Sequence, residues 1–418
     1  MSGIEPILTE DIEQKIEPNQ KWPWNAKRII TLLSIICILL IISFIVYVAL
    51  KNKSDDDDDD EIQSETRYDF MKYTNILYTE DIIINSFKKG GINYNETMGE
   101  INNGDDYKKT DRNVYNLFIP YMESSQKKKY NKLLLYLHSG GWKEGYKEEI
   151  EDIESLLFDG FITVNMGYTL INDEYKDYNP NVFRIIDEIT ACIKHVKLTL
   201  KNFGFDPNKL ELVLSGSSAG GHLSLLYANS IKNPPLPIKF VVEFAGPVTL
   251  EPNYFRKVKG TEALGENDFK EIDKVLNDDI TERLAPNDKE ILKYMNSFFG
   301  NKYNEEELEE MLQDGRLDEN NEKYRQMFNV IVNGFPTHYI NSNSVPIICV
   351  YGGKDEVIGI GHLAYLYSLN QEYNKKINFL YSQNASHNVF KINDELNYDL
   401  WTKISTQIKI YSDKYFNK

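Results

Sequence analysis

The chain has 418 residues, of which 41% are hydrophobic, 12% aromatic and 27% charged. This composition is typical of a globular protein and excludes an intrinsically disordered chain. Acidic residues outnumber basic ones by 64 to 47, so the formal net charge is -17. Because an acidic surface repels phosphate backbones, and no basic patch with interleaved aromatic residues occurs, the sequence excludes nucleic acid as a partner.

The chain contains three cysteines, Cys37, Cys192 and Cys349, and no CxxC pair or Cys/His cluster with zinc spacing. A disulfide framework and a zinc site are therefore excluded. We expect Cys192, in a helical pattern, and Cys349, in an apolar strand run, to be buried free thiols.

Residues 29–50 form an uncharged apolar run, IITLLSIICILLIISFIVYVAL. A helix of this length spans about 33 Å, which is enough to cross the hydrocarbon core of a bilayer. A cleaved signal peptide is the alternative. The long preceding tail, the length of the run and Tyr47 near its end, where cleavage needs a small residue, argue against it. We therefore expect a tail over 1–28 and a transmembrane helix over 29–50 that binds the lipid bilayer.

The charges around this run predict how the chain is oriented in the membrane. Three basic residues precede the apolar run. Two follow it, and they are succeeded by six consecutive aspartates, Asp55–Asp60. This bias favours a single-pass protein with a cytosolic N-terminus and an extracellular or lumenal remainder. Residues 51–67 are polar and predict an extended linker. The sequons at Asn52, Asn95 and Asn384 lie on the outer side and are typical of a glycoprotein.

From residue 68 to 418 the sequence alternates strand and helix patterns, which defines one α/β domain. Apolar runs typical of strands occur at 82–85, 114–119, 132–141, 161–170, 209–216, 238–246, 345–353 and 377–383. Helical patterns occur at 143–158, 181–202, 218–231, 360–374 and 394–415. Strands separated by helices predict crossover connections and a mostly parallel central sheet covered by helices. The segment 250–340 is charged, helical in pattern and without strand runs, so we expect a cap or lid over one end of the sheet.

The run LELVLSGSSAGGHLSLL contains the pattern G-x-S-x-G at 216–220, between an apolar strand and an Ala-Gly-rich helix start. A serine at the tip of a tight strand-to-helix turn is held in strained backbone geometry, where neighbouring side chains would collide. Ser218 is the third residue of the pattern and the candidate nucleophile. A small-residue turn that lets a helix pack closely is the alternative interpretation.

A nucleophilic serine needs a general base, and the base needs an acid to orient it. In chains with this strand-turn-helix motif the order is serine, acid, histidine, with the acid after a later strand. Asp355 comes directly after the run 345–353, with Glu356 as the alternative acid. Of the six histidines, only His387 follows both this acid and the run 377–383. His387 is therefore the candidate base.

The stretch His138-Ser139-Gly140-Gly141-Trp142 ends another predicted strand, upstream of the serine. Acyl transfer places negative charge on the former carbonyl oxygen, and fixed backbone N–H donors stabilise it. We expect Gly140 and Gly141 to supply two such donors, with the N–H of Ala219 as the third. A glycine turn into the next helix is the alternative.

These motifs resemble those of the α/β-hydrolase superfamily. More narrowly, they resemble the carboxylesterase and hormone-sensitive-lipase-like group, which includes bacterial-type feruloyl and acetyl esterases. The resemblance runs from about residue 112 to 418. It rests on the segments HSGGW (138–142), GYTL (167–170), GFDPNKLELVLSGSSAGGHL (204–223), VYGGKDEVI (350–358) and SHNVF (386–390).

The resemblance implies a central sheet flanked by helices, no cofactor, and a catalytic set of Ser218, Asp355, His387, Gly140, Gly141 and Ala219. Three features depart from the usual pattern of the group. Ser139 replaces the first glycine of H-G-G-G, Ser217 replaces an aspartate, and the glycine that commonly flanks the histidine is absent. None of these departures removes a member of the implied triad.

The function expected from the sequence is a membrane-anchored serine hydrolase that cleaves small or polymer-linked carboxylic esters through an acyl-enzyme. A membrane-anchored serine peptidase or amidase is the first alternative, although the prolyl type usually has a propeller domain for which this chain has no room. A non-catalytic adhesion or scaffold protein is the alternative from another class. Such proteins typically lose the serine or the histidine, and this chain keeps both.

Overall fold

The computed structural model describes residues 70–78, 110–149, 160–249, 288–298, 300–359, 361–373, 376–393 and 395–416. All of these residues belong to one compact unit, Tyr68–Lys418. Several predicted features lie outside the described residues, namely the tail 1–28, the apolar run 29–50, the linker 51–67, the sequons Asn52 and Asn95, the strand 82–85 and part of the cap, 250–287. None of the helices in the described part is both long and apolar enough to span a bilayer.

Within the described residues, eight strands form the central sheet. They are β1 (Phe70–Leu77), β2 (Val114–Pro120), β3 (Lys132–Leu137), β4 (Ile162–Met166), β5 (Glu211–Ser217), β6 (Ile238–Phe244), β7 (Ile347–Gly352) and β8 (Ile377–Ser382). Their spatial order is β1-β2-β4-β3-β5-β6-β7-β8. β2 pairs antiparallel with both β1 and β4, whereas all other neighbours are parallel. The prediction of a mostly parallel sheet is confirmed.

Strand β1 was not predicted from the sequence. Its residues FMKYTNIL alternate between half-buried and exposed side chains over most of their length, so they form no continuous apolar run. The strand also contains an irregularity between Tyr73 and Ile76. There Asn75 has a φ of 54°, and its N–H donates to Asn116 Oδ1 at 3.0 Å. This edge strand is therefore held by its pairing with β2 rather than by an apolar pattern of its own.

Six helices of ten residues or more are described, together with shorter helical turns. The long helices are α1 (Val182–Asn202), α2 (Ala219–Ser230), α3 (Asp288–Phe298), α4 (Glu322–Ile331), α5 (Gly361–Glu372) and α6 (Tyr398–Tyr415). The shorter ones are Ser124–Lys127, Glu305–Glu309 and the 3₁₀ turns Asp173–Tyr178, Val332–Gly334 and Pro336–His338. The predicted helices at 181–202, 218–231, 360–374 and 394–415 are confirmed as α1, α2, α5 and α6.

The predicted helix 143–158 is wrong over its described part, 143–149, which forms turns. The N–H groups of Lys143 and Glu144 both donate to the carbonyl of Gly140 at 3.0 Å. Gly145 then takes a φ of 101°, which a helix does not allow. The turn that closes on Gly140 therefore overrides the local helical pattern.

Helix α1 is buried over most of its length and begins at a well-formed cap. Asn181 Oδ1 accepts a hydrogen bond from the Arg184 N–H at 2.9 Å. The Arg184 guanidinium pairs with Glu188 at 2.8 Å, and both side chains are buried. Glu188 also accepts the Thr169 N–H at 2.9 Å, which ties the loop after β4 to this helix. The buried pair is therefore satisfied, as a buried pair must be to persist.

The described part of the predicted cap, 288–340, is helical as expected but also contains a small hairpin. Strands Leu312–Gln313 and Arg316–Leu317 pair antiparallel. Asp314 and Gly315 join them with φ values of 53° and 73°, the conformation of a type I′ turn. The expectation that this segment lacks strands is wrong at this hairpin, because two residues per strand are too few to give an apolar run. A second two-residue pair, Lys391–Ile392 with Glu395–Leu396, precedes α6.

Cys192 on α1 and Cys349 on β7 are both buried and free, as the sequence predicted. Burial raises the pKa of both thiols well above the usual value. Both therefore serve as small apolar side chains of the core rather than as nucleophiles.

Candidate active site

Ser218 lies at the turn between β5 and α2 and has a strained backbone. Its φ and ψ are 51° and -116°, a combination that costs a residue with a side chain on the order of 1–3 kcal/mol. The Ser218 N–H donates to the Phe244 carbonyl at 2.7 Å, and its carbonyl accepts the His222 N–H at 3.0 Å. Neighbouring strand and helix backbone therefore hold the serine in this conformation.

The two glycines of the motif are required by close backbone contacts. A Cβ at Gly220 would lie 1.9 Å from the Leu137 carbonyl oxygen, and one at Gly216 would lie 2.4 Å from the Gly220 carbonyl carbon. Real Cβ atoms do not approach other atoms this closely. The pattern G-x-S-x-G thus reflects the packing of the turn against the end of β3.

His387 and Asp355 form a hydrogen-bonded pair after strands β8 and β7. The Nδ1 atom of His387 lies 2.8 Å from Asp355 Oδ2. Asp355 is fully buried, and its Oδ1 accepts the N–H groups of Val357 at 2.8 Å and Ile358 at 2.7 Å. These contacts fix the carboxylate in one orientation. Glu356, the alternative acid, is exposed.

Two glycines hold the acid loop and the histidine loop together. A Cβ at Gly352 would lie 2.4 Å from the carbonyl oxygens of Ala385 and Ser386, and a Cβ at Gly353 would lie 2.7 Å from the Gln383 carbonyl. The Lys354 N–H also donates to the Ala385 carbonyl at 2.9 Å. Sequence analysis gave these glycines no role, although a Gly-Gly pair at a strand end signals a close backbone approach.

Gly140 and Gly141 form a turn at the end of β3 with left-handed backbone conformations. Their φ values are 103° and 58°. In the described part of the chain, the N–H groups of Gly140, Gly141 and Ala219 have no acceptor. Unpaired N–H groups at a turn and at a helix start are ready to bind an oxygen that carries negative charge.

His138 supports this turn from inside the protein. Its ring stacks on Tyr168 with centroids 4.0 Å apart, and its Nδ1 donates to the Ser139 carbonyl at 2.7 Å. Burial lowers the pKa of His138 to about 3, so the ring is neutral. The Tyr168 hydroxyl donates to the His138 carbonyl at 2.9 Å, and Glu149 Oε2 accepts the Ser139 N–H at 2.5 Å. His138 is therefore a structural support of the turn.

A cavity of about 590 Å³ opens between these elements. Its walls bring together four of the six predicted site residues, Ser218, His387, Gly140 and Gly141. Asp355 lies behind His387, and Ala219 follows Ser218 at the start of α2. The other lining residues are Ser139, Trp142, Lys143, Glu144, Pro247, Tyr294, Val357, Ile358 and His362.

His362 on α5 is a cavity residue that sequence analysis did not select. Its Nδ1 accepts the Val248 N–H at 3.2 Å, and burial lowers its pKa to about 4. The ring is therefore neutral beside the pair of Asp355 and His387. The signal available in the sequence was its position at the start of the helix that follows Asp355.

The segment 288–340 contacts the cavity wall through aromatic residues. Phe298 on α3 packs against Trp142 with centroids 4.5 Å apart and against His222 with centroids 5.1 Å apart. His222 Nε2 donates to the Gly334 carbonyl at 2.8 Å. The Thr337 hydroxyl donates to the Val248 carbonyl at 3.2 Å. The inserted segment therefore packs on α2, directly after the serine.

Glu243 on β6 is a buried acid beneath the same turn. The Gly246 N–H donates to Glu243 Oε2 at 2.8 Å, and burial raises the pKa of this carboxyl to about 8. The carboxyl is therefore mostly protonated at neutral pH. A lone acid inside the apolar run FVVEFAG was the sequence signal, and it was not used.

The strand order, the strained serine between β5 and α2 and the buried acid-histidine pair define an α/β-hydrolase-type protein. Within the described ranges, no group of three or more His, Cys, Asp or Glu side chains is arranged to hold a metal ion. Residues 120–369, more than half of the chain, match the model of the BD-FAE family. The chain belongs to this family of α/β-hydrolase-type esterases and is a carboxylic-ester hydrolase.

Solved structures with a similar fold include several esterases. A truncated carbohydrate esterase from gut microbiota is 13% identical, with 84% of this chain and 99% of that chain covered and a TM-score of 0.51. An inhibited esterase B from Lactobacillus rhamnosis is 14% identical, with 91% and 99% covered and a TM-score of 0.46. A butyrate-bound esterase from Thermogutta terrifontis is 17% identical, with 74% and 92% covered and a TM-score of 0.44. The likeness to the first of these supports the fold. No curated protein matches the chain.

Proposed function

We propose that this esterase is a membrane-anchored serine hydrolase with a triad of Ser218, His387 and Asp355. One observation carries the proposal. A serine with a strained backbone faces the same cavity as a histidine whose Nδ1 is bound to a buried carboxylate. This arrangement leaves the other ring nitrogen of His387 as the base for the serine hydroxyl.

In the proposed reaction, His387 Nε2 takes the proton of the Ser218 hydroxyl while Oγ attacks the ester carbonyl carbon. The carbonyl π electrons move to the oxygen and form a tetrahedral oxyanion. His387 then gives its proton to the leaving alcohol as the C–O bond breaks, which leaves an acyl-enzyme. Water, deprotonated by His387, attacks this ester and releases the acid and free Ser218. Asp355 stabilises the positively charged ring of His387 in both acylation and deacylation.

The oxyanion is proposed to bind the unpaired N–H groups of Gly140, Gly141 and Ala219. The turn at Gly140 is rigid, because its carbonyl is occupied by the two N–H groups of the following turn. Donors that are fixed before the reaction stabilise the developing charge without reorganisation. The neutral ring of His138 and its contact with Tyr168 hold this turn in place.

The inserted segment is proposed to shape the acyl or alcohol pocket. Its described part supplies Tyr294 to the cavity wall and contacts Trp142 through Phe298. Such a cap excludes water and selects the groups that flank the scissile bond. We propose that the whole of 250–340 belongs to it.

Membrane anchoring is proposed from residues 29–50 and their flanking charges. The catalytic unit would then lie outside the cytosol, with Asn384 free of glycan because a sugar three residues from His387 would crowd the cavity. Carbonate extraction of membranes from expressing cells tests the anchor. We expect the full chain to stay in the pellet and a variant without 29–50 to be released. Release of the full chain would contradict the anchor.

Ester hydrolysis by the full-length protein tests the proposed chemistry. We expect 4-nitrophenyl butyrate to be hydrolysed and Ser218→Ala to lose at least about a thousandfold in kcat. The adjacent Ser217→Ala is the matched control and is expected to retain activity. Equal loss in both variants, or full activity in Ser218→Ala, would contradict the role of Ser218.

A further inference from the structure

Lys143 is a cationic residue of the cavity wall that the ester chemistry does not use. Its backbone is fixed on both sides, because its N–H donates to the Gly140 carbonyl at 3.0 Å and its carbonyl accepts Asn172 Nδ2 at 2.8 Å. The side chain therefore starts three residues after Gly140, on a turn held beside the proposed oxyanion donors. The fold therefore sets the position of the Lys143 backbone at the cavity.

The ammonium group of Lys143 has no carboxylate partner within the described ranges of the chain. Lys143 is an exposed residue, and its partial burial, followed by repulsion from Lys293 on α3, lowers the pKa of the ammonium group. Two acids lie nearby. Glu144 lines the same cavity, and Glu149 is bound to the Ser139 N–H.

Three lysines of the inserted segment, unlike Lys143, form ion pairs with glutamates. Lys293 pairs with Glu305 at 2.9 Å, Lys323 pairs with Glu310 at 3.0 Å, and Lys289 pairs with Glu309. The chain as a whole carries a net charge of -17, which disfavours an approaching anion. Among the described residues that line the cavity, Lys143 is the one Lys or Arg, so it gives an anionic ligand a local attraction at the cavity of an acidic protein.

We propose that the ester substrate carries an anionic group, such as a carboxylate, that binds Lys143 while the scissile carbonyl lies at Ser218. This inference rests on the proposed function, since it places the anion relative to Ser218 and the Gly140 turn. The apolar side chains of Tyr294, Val357 and Ile358 in the same cavity would contact the uncharged part of the substrate. Bringing an anion to Lys143 also relieves its repulsion from Lys293.

Two matched ester pairs test the proposal on the full-length protein. Mono-4-nitrophenyl adipate against 4-nitrophenyl hexanoate places the anion on the acyl side, and 4-acetoxybenzoate against 4-acetoxybenzamide places it on the alcohol side. The quantity measured is the ratio of kcat/KM for the anionic ester to that for its neutral partner. We expect Lys143→Met to lower this ratio about tenfold in at least one pair, mainly through KM.

Three controls separate charge recognition from a structural effect. Lys143→Arg keeps the charge and is expected to retain the ratio, whereas Lys143→Glu is expected to lower it further. Lys194→Met changes an exposed lysine on α1 and is expected to leave the ratio unaltered. Raising the salt concentration to 0.5 M is expected to reduce the wild-type ratio. At this ionic strength the Debye length is about 4–5 Å, so attraction between exposed charges farther apart than this is largely screened.

The possible outcomes distinguish this inference from the proposed function. Hydrolysis of the neutral esters with ratios unchanged in Lys143→Met and Lys143→Glu overturns the inference and leaves the proposed function intact. No hydrolysis of any ester by folded wild-type protein overturns the proposed function and the inference with it. A ratio that falls equally in Lys143→Arg also overturns the inference, because the charge would then not be its cause.

Discussion

His387 and Asp355 meet at a position that the backbone largely determines. The carboxylate of Asp355 uses one oxygen for the N–H groups of Val357 and Ile358 and the other for His387 Nδ1. A buried carboxylate with all of these donors in place cannot rotate without losing hydrogen bonds. The ring of His387 is thus held in the tautomer in which Nε2 is free to accept a proton.

Asp355→Asn tests the importance of this orientation. The amide keeps the shape of the side chain but removes the negative charge, and its N–H can donate to His387 Nδ1, which places the ring proton on Nε2 and blocks the base. We expect kcat for 4-nitrophenyl butyrate to fall about 10³–10⁴-fold while the protein stays folded. Glu356→Gln is the control on the neighbouring exposed acid and should leave kcat within a factor of about three. A large loss in Glu356→Gln alone would reassign the acid.

At the scale of elements, the site forms where β5 ends and α2 begins. Gly216 and Gly220 let the turn pack against the end of β3, and the Gly352-Gly353 pair lets the histidine loop approach β7. The inserted segment contacts the same helix through Phe298 and His222. The geometry of the candidate site therefore depends on backbone contacts between strands that are distant in sequence.

Gly220→Ala tests this dependence at the serine turn. The added methyl group would lie 1.9 Å from the Leu137 carbonyl oxygen, so β3 or α2 must move. We expect a loss of at least about 3 kcal/mol in the free energy of unfolding, together with loss of esterase activity. Gly315→Ala is the matched control. It has a φ of 73° but no atom within 4 Å of the new Cβ, so only about 1 kcal/mol is expected.

Chemical denaturation of the two variants provides the measurement. Equal destabilisation by Gly220→Ala and Gly315→Ala would show that backbone conformation alone determines the cost. A stable, active Gly220→Ala would contradict the close packing of the turn.

At the scale of the whole molecule, four buried groups link stability to pH. Burial lowers the pKa of His138 to about 3 and the pKa values of His222 and His362 to about 4. These rings are neutral when folded and become charged on unfolding below about pH 6.5, so their contribution to stability is lost on acidification. Burial raises the pKa of Glu243 to about 8. Its contribution is present below about pH 4.5 and is lost as the pH rises towards 8.

The three histidines and Glu243 act in opposite directions, so we expect the free energy of unfolding to be largest near pH 6.5. Between about pH 6.5 and 4.5 three histidines outweigh one acid, so the free energy of unfolding falls on acidification by up to about 3 kcal/mol per pH unit. Between about pH 6.5 and 8 Glu243 is the main contributor among these four groups, and its contribution to stability falls as the pH rises. Denaturant titrations of the wild type and Glu243→Gln across pH 5 to 8 provide the test. The same slope above pH 6.5 in both proteins would refute the assignment to Glu243.

Features of the fold and site that depend on a local sequence pattern or on the order of residues along the chain could be predicted from the sequence. The turn at Ser218 was predictable because its glycines flank the serine. His387 was predictable because it is the only one of the six histidines that follows both Asp355 and the run 377–383. The walls of the cavity were not predictable in this way, since Tyr294 and His362 reach it from elements far apart in sequence. Turn 143–149 was misread because its decisive contact is with Gly140, outside the helical pattern. Strand β1 was missed because its pairing with β2, not its own composition, forms it.

Ser218 is proposed to be the nucleophile of this esterase. Labelling of the full-length protein with a fluorophosphonate, followed by mass spectrometry of the peptides, tests this proposal most directly. We expect a single adduct on Ser218 that disappears in Ser218→Ala and forms far more slowly in His387→Ala. An adduct on Ser215, Ser217 or Ser386 instead, or no adduct on folded wild-type protein treated with the probe, would contradict the role of Ser218.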